Sequence, residues 1–298
     1  MAAAISGEAS SVFPSLLRRE RLHFLRLWVH LQATVRGEAG ELLNQIAFNV
    51  GAADVARCYL QRRNRALQLL GILGVGYLRD KSAWPILVRF MYSSDSTKSI
   101  QSLWAMMIID PDTAVVDAVR YGIERDDWAL PKVVDILRTQ PVACTSLLAN
   151  VWPTITEERL PRAFALAEAL RIALPENIIL PLLGSDQAEV VLGALRLVTT
   201  PSLAPAVHAC ANHADWRVRV QTARALNRIA TRGDLPLLAV LLEDANWWVR
   251  YRAAQAIVGM PFNRIDQPEQ IDSITTDRYG REMLQLVVAE QSDSRRSS

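Results

Sequence analysis

The sequence predicts an all-α chain that grows by stacking helical hairpins into a solenoid, and three observations carry that prediction. Half of the 298 residues are hydrophobic but only 7% are aromatic, and long stretches consist of Ala, Leu, Arg, Val, Gln and Glu, which tolerate helix well. Strand signals are scarce: no Asn-Gly or Asp-Gly turn separates alternating apolar runs, and Gly and Pro fall singly at punctuation points. Near the C-terminus the chain repeats itself, Asp215 to Leu226 realigning with Asn246 to Ile257 at an offset of 31 residues, which is a solenoid-type period. Growth by repetition also accommodates a length beyond that of one ordinary core.

Taken in chain order, Met1 to Ser11 is small and polar and lacks the basic and apolar regions of a signal peptide. Ser15 to Val35 reads as a long amphipathic helix and shorter ones follow Gly40; residues 1–60 are expected to cap the apolar face of the first repeat. Arg65 to Gly74 is a helix. It overlaps the most continuous apolar run, Leu67 to Leu78, which is interrupted by Gln68, Gly71, Gly74 and Gly76 and falls short of the roughly 20 residues that a bilayer core requires. Those glycines lie in or at the end of the helix, where close packing explains them better than a phosphate loop. Asp80 opens the next helix through Trp84, Pro85 and Leu87, Asp95 to Ile109 forms a capped one, and Asp110-Pro111-Asp112 stops it. Between Pro111 and Gly184 further pairs are punctuated at Trp128 to Pro131, Gln140-Pro141, Trp152-Pro153 and Pro175.

The repeat unit is clearest after that point. Asp215 and Asn246 can cap their helices, and Val218, Thr222, Ala223, Leu226 and Ile229 follow helical spacing. The small residues Ala223, Ala225, Ala254 and Ala256 allow close approach of neighbours. A looser copy begins at Asp186, with Val190, Ala194, Leu195 and Arg196 in register with Val218, Thr222, Ala223 and Arg224. Partner helices open with proline in the first turn, at Leu203-Ala204-Pro205 and at Leu235-Pro236, where the missing N–H has no helical acceptor. The solenoid is placed at 61–260, a linker and C-terminal capping helix (from Asp277 to Glu290) at 261–290, and a disordered tail at 291–298.

The unit Asp-x-x-Val-Arg-x-x-Ala-Ala-x-Ala-Leu, read at Asp215 to Leu226 and Asn246 to Ile257, resembles the bacterial HEAT repeat and the related phycobilin-lyase-type HEAT repeat. The likeness is strong from Asp186 to Gly259 and moderate from Arg65 to Pro111. It implies an armadillo-like, right-handed α-solenoid of HEAT-type hairpins, with N- and C-terminal helical caps, a concave face lined by the second helices, and a scaffolding or binding role. Some relatives are enzymes. The di-iron hydroxylase type carries repeated His-Glu pairs, but none of His23, His30, His208 and His213 precedes a Glu. A DNA-glycosylase type and the bilin lyase have no motif here to which their residues can be carried over.

A net charge of +2 demands neither nucleic acid nor an anionic membrane, so local features must decide. Cys58, Cys144 and Cys210 are odd in number and far apart, which reads as three small buried hydrophobes rather than a disulfide framework. Arg219 and Arg250 hold equivalent repeat positions, as expected of a ladder pairing with carboxylates or carbonyls of adjacent turns. Trp216, Arg217, Trp247, Trp248, Arg250, Tyr251 and Arg252 combine large aromatics with arginines, the composition of interface hot spots, and are the expected partner-binding residues; inter-repeat packing is the competing reading. The basic run Arg57, Arg62, Arg63 and Arg65, like Arg18, Arg19 and Arg21, reads as a solvated face. His208, Cys210 and His213 lack a fourth zinc ligand, and Asp126-Asp127 and Glu157-Glu158 read as caps or dipole partners. The expectation is therefore a non-catalytic, cytoplasmic protein-binding scaffold without cofactor, metal or membrane span. A nucleic-acid-binding protein, including a glycosylase-like one, and a bilin-lyase-like enzyme rank behind it, and a membrane anchor preceding the chain is left open.

Overall fold

Short polar side chains start the helices. Asn64, Asp95, Asp110, Asp215 and Asn246 each accept an N–H from the first turn that follows, satisfying a donor with no intrahelical partner. Elsewhere the first turn carries proline, as at Pro85, Pro131, Pro205 and Pro236. The computed structural model describes residues 16–35, 37–260 and 268–296, and among these the regular elements are α-helices and 3-10 turns, with no strand. The chain is an all-α solenoid that divides into two compact units, residues 1–144 and 145–298.

The first unit contains α1 (Arg18–Thr34), α2 (Glu38–Asn49), α3 (Ala52–Leu60), α4 (Arg65–Tyr77), α5 (Trp84–Met91), α6 (Ser96–Ile109), α7 (Pro111–Glu124) and α8 (Leu130–Leu137). Hairpin partners α3 and α4, α5 and α6, and α7 and α8 pack together, while α4, α6 and α8 stack in succession. Helix α1 lies on α3 and α4, with Trp28 fully buried and its indole Nε1–H donating to Leu43 O at 3.0 Å. The glycines of α4 sit where no side chain fits. A Cβ on Gly71 would meet Ala56 O at 2.8 Å, and one on Gly74 or Gly76 would meet the Cβ of Ala56 or Ala105 at 2.9 Å. Asp110 does more than stop α6, because its carboxylate also caps α7 through Thr113 N–H. Cys58 is a correction: it is exposed, unlike Cys144 and Cys210, because Ala52, Val55, Ala56 and Leu60 form the buried stripe of α3 and residue 58 lies off it.

The division between the units falls within α9 (Pro141–Val151). The second unit continues with α10 (Leu160–Leu170), α11 (Glu176–Leu183), α12 (Ala188–Leu197), α13 (Ala204–Ala209), α14 (Trp216–Ile229), α15 (Leu235–Leu242), α16 (Trp247–Gly259), α17 (Pro268–Asp272) and α18 (Arg278–Arg296). Helices α10, α12, α14, α16 and α18 pack one on the next, and α11, α13 and α15 each cover the helix that follows. The aligned positions are buried alike: Val218, Ala223, Ala225 and Leu226 on α14 and Val249, Ala254, Ala256 and Ile257 on α16.

Three details differ from the sequence reading. The looser copy starts one residue later than Asp186: Gln187 is the N-cap position of α12 and its amide donates to Glu157 rather than capping the helix. Within the segment read as linker, Pro268–Asp272 is helical, whereas residues 261–267, like Met1 to Ser15, lie outside the described residues. The last helix runs past Glu290 to Arg296; no Gly or Pro follows Glu290 within it, and Ser292 donates back to Val288 O at 2.9 Å. No described helix is long and apolar enough to cross a membrane.

Candidate functional site

One turn design precedes α14, α16 and α18. The side chains of His213, Asp244 and Thr275 accept the N–H of the cap residue two positions on, Asp215, Asn246 and Asp277, at 3.0, 2.8 and 3.0 Å. Each cap in turn accepts an N–H from its own helix, from Arg217 at 2.8 Å, Trp248 at 2.9 Å and Gly280 at 2.7 Å. An arginine four residues after the cap then clamps the turn. Arg219 Nη1 donates to His213 O and Ala214 O at 2.8 and 3.1 Å, and Arg250 Nη1 to Asp244 O and Ala245 O at 2.7 and 3.0 Å. The expected pairing with carboxylates or carbonyls is present at both arginines, through carbonyls in each case and through a carboxylate as well at Arg219.

The clamps differ in what else they reach. Arg219 extends to the carboxylate of Asp244, whereas the position equivalent to Asp244 one repeat later is Thr275. Arg250 Nε is consequently buried without a hydrogen-bond partner, and its guanidinium carbon lies 5.5 Å from the Tyr279 ring centroid. In the first unit the same task falls to a distant residue. Arg125 Nη1 donates to Met91 O, Ser93 O and Ser99 Oγ, bracing the turn before α6 from the end of α7.

These rigid turns fix the side chains just after them. Trp216, Trp247, Trp248 and Tyr279 are 41, 43, 50 and 59% exposed, so each ring keeps a large part of its surface open to a neighbour. Trp247 stacks on Tyr251 with centroids 5.1 Å apart and planes at 11°, and Trp248 meets Trp247 edge-on at 4.8 Å. Tyr251 donates to Glu290 Oε2 at 2.9 Å, a bond that raises the phenol pKa, while Arg252 lies 5.5 Å over the Tyr251 ring and donates to Gln255. Of the expected partner-binding residues, Trp247, Trp248, Tyr251 and Arg252 form one half-exposed cluster. Arg217 lies apart, paired with Asp215 and Glu189, and Trp216 makes no ring contact with the cluster among the described residues. Arg250 faces its own turn. Tyr279 was missed by sequence reasoning, although its offset of 31 from Trp248 was a usable signal.

The other candidates are engaged locally. His208 Nε2 meets Asp234 Oδ1 at 2.5 Å, His213 serves its turn, and Cys210 points its thiol at Leu183 O and Ala206 O, so the three do not converge. Burial pushes the thiols of Cys144 and Cys210 up to about 11. Within the basic run, Arg57 pairs with Asp54 and Asp80, and Arg65 grips Asp95 through both Nε and Nη2. Asp127 pairs with Arg125, and Glu157 accepts from Gln187. Unread in the sequence is a cavity of about 500 Å³ in the first unit, lined by Leu73 and Tyr77 of α4, Trp104 and Met107 of α6 and Ile136 of α8. No local pattern signals it, since three helices build it together.

Stacked hairpins joined by capped, arginine-clamped turns define an α-solenoid repeat protein. Residues 180–274 match the family of HEAT repeats, and that stretch contains the helices α12 to α16 whose hairpins stack in succession. Among solved structures, the chain is similar to the crystal structure of an engineered protein, at 14% identity and a TM-score of 0.43, with 89% of this chain and 88% of that one covered. No curated protein matches the chain.

Proposed function

We propose that this chain is a non-catalytic scaffold that binds a protein partner through the aromatic surface around Trp247, Trp248, Tyr251 and Arg252, with Trp216 and Tyr279 flanking it. The observation that carries the reading is that α14, α16 and α18 each present a half-exposed aromatic in their first turn, held by a braced turn. Rigid, partly exposed Trp and Tyr supply large contact area at low entropic cost, as interface anchors do. In this reading residues 1–60 cap the first hairpin and the helix after Asp277 caps the last.

The test is affinity capture from native lysate, comparing wild type with the Trp247→Ala/Trp248→Ala variant and adding nuclease in parallel. A protein band that survives nuclease and is lost with the variant supports the reading, provided the helical circular-dichroism signal is unchanged. Unfolding of the variant would make these rings packing residues, and a signal abolished by nuclease would move the reading to nucleic acid.

A further inference from the structure

A second surface lies on the exposed side of α12, α14 and α16 and meets the aromatic cluster at Arg252. Arg196 and Arg224 both stand nine residues after their N-cap positions, Gln187 and Asp215, on helices that pack against each other. The matching position on α16 is Gln255, and Arg252 donates to its Oε1 at 2.6 Å, which brings a third guanidinium to the same row. Among the described residues, Arg196 and Arg224 make no hydrogen bond or ion pair. Burial first, then the positive charges of Arg252 and Arg196, lower the Arg224 pKa, with Glu168 acting the other way. Neighbouring Arg228 has a different role: it donates to Leu195 O and Val198 O at the end of α12 and so finishes that helix. The row adjoins a polar groove of about 370 Å³ lined by Asn227, Gln255, Gly259, Val287, Glu290 and Gln291.

We propose that Arg196, Arg224 and Arg252 seat an extended acidic segment of a protein partner, each guanidinium taking one carboxylate. Like charges on successive helices repel one another, and a bound anion would remove that cost. The spacing selects the ligand. Packed helix axes are about 8–10 Å apart, and three residues of polyproline II chain make one turn and rise about 9 Å, so an acid at every third position faces the row in register. Nucleic acid carries charge far more densely, about one per 3.4 Å along each strand. Glu168 and Glu290 flank the row, and they disfavour a continuous polyanion while leaving room for a short acidic stretch.

The proposal rests on the scaffold reading and shares Arg252 with its aromatic cluster, so the experiment turns on Arg196 and Arg224, which that cluster does not use. The full chain is titrated by fluorescence anisotropy against three labelled probes: a Gly/Ala/Ser peptide with Glu at every third position, the same composition with its Glu residues contiguous, and oligothymidylate. The spaced peptide is expected to bind best and to weaken with salt. Its affinity should fall about tenfold in Arg196→Gln/Arg224→Gln, which leaves Arg252 and the aromatic cluster untouched. The exposed Arg224→Glu variant checks the result with a single change, and Trp247→Ala/Trp248→Ala should leave this binding intact. Equal binding of the two peptides, indifference to the arginine changes, or arginine-dependent binding of oligothymidylate alone would overturn the proposal. If tryptophan-dependent capture of a protein persists while the spaced peptide fails, this inference falls and the scaffold reading stands.

Discussion

Arg219 and Asp244 join one repeat to the next through two parallel hydrogen bonds, Nε to Oδ2 at 2.6 Å and Nη2 to Oδ1 at 3.0 Å. The same carboxylate accepts Asn246 N–H and the same guanidinium clamps the turn at His213 and Ala214, so one partly buried pair braces two consecutive turns. Removing one member strands the other. Asp244→Ala is expected to destabilise the second unit by about 2–4 kcal/mol, measured as a fall in the urea midpoint followed by tryptophan fluorescence. An unchanged midpoint would mean the pair is as solvated as a surface one.

Thr275 stands where Asp244 stands one repeat earlier, and Arg250 Nε lacks the acceptor that Arg219 has. Thr275→Asp alone would face Glu243, to which Thr275 Oγ1 now donates at 2.8 Å. In a Glu243→Gln background, Thr275→Asp should therefore add about 1 kcal/mol of stability, and the gain should vanish when Arg250→Met is introduced.

Acid should weaken the first unit through Asp95. The bond from Arg65 holds its carboxyl down at about 2, aided by Lys98 N–H and opposed by burial. A folded-state pKa below the unfolded value contributes stability at pH above the unfolded value of about 4, and that contribution drains away as pH falls through the folded value. Asp95→Asn keeps the cap but removes the titration. Between about pH 4 and pH 2 the variant should lose less melting temperature than wild type; parallel curves would refute the assignment.

Gly193 lets α12 lie on α10. A Cβ there would sit 2.2 Å from the Phe164 ring, so Gly193→Ala should cost about 1–3 kcal/mol despite the better helix propensity of alanine. Phe164→Leu in the same chain should recover part of that loss, whereas additive losses in denaturant titrations would mean that the two residues do not share the contact.

What the sequence determined by itself is the part of this protein governed within a turn or two of helix. Caps at Asp95, Asp215 and Asn246, proline in opening turns, the buried stripe from Val218 to Ile229 and the period of 31 residues were all legible, because they depend on atoms three or four residues apart and on repetition. The Arg219 and Arg250 clamps and the aromatic composition around Trp247 were legible for the same reason. Which of those aromatics stay exposed was decided by the tertiary structure, whereas the continuation of the register at Asp277 and Tyr279 lay in the 31-residue offset itself. The tertiary structure also decided that Cys58 lies off the buried stripe, that Phe164 occupies the space over Gly193, and that Arg196, Arg224 and Arg252 form a row. Each of these depends on how one helix sits on another, a relation between segments about thirty residues apart that local propensity does not encode.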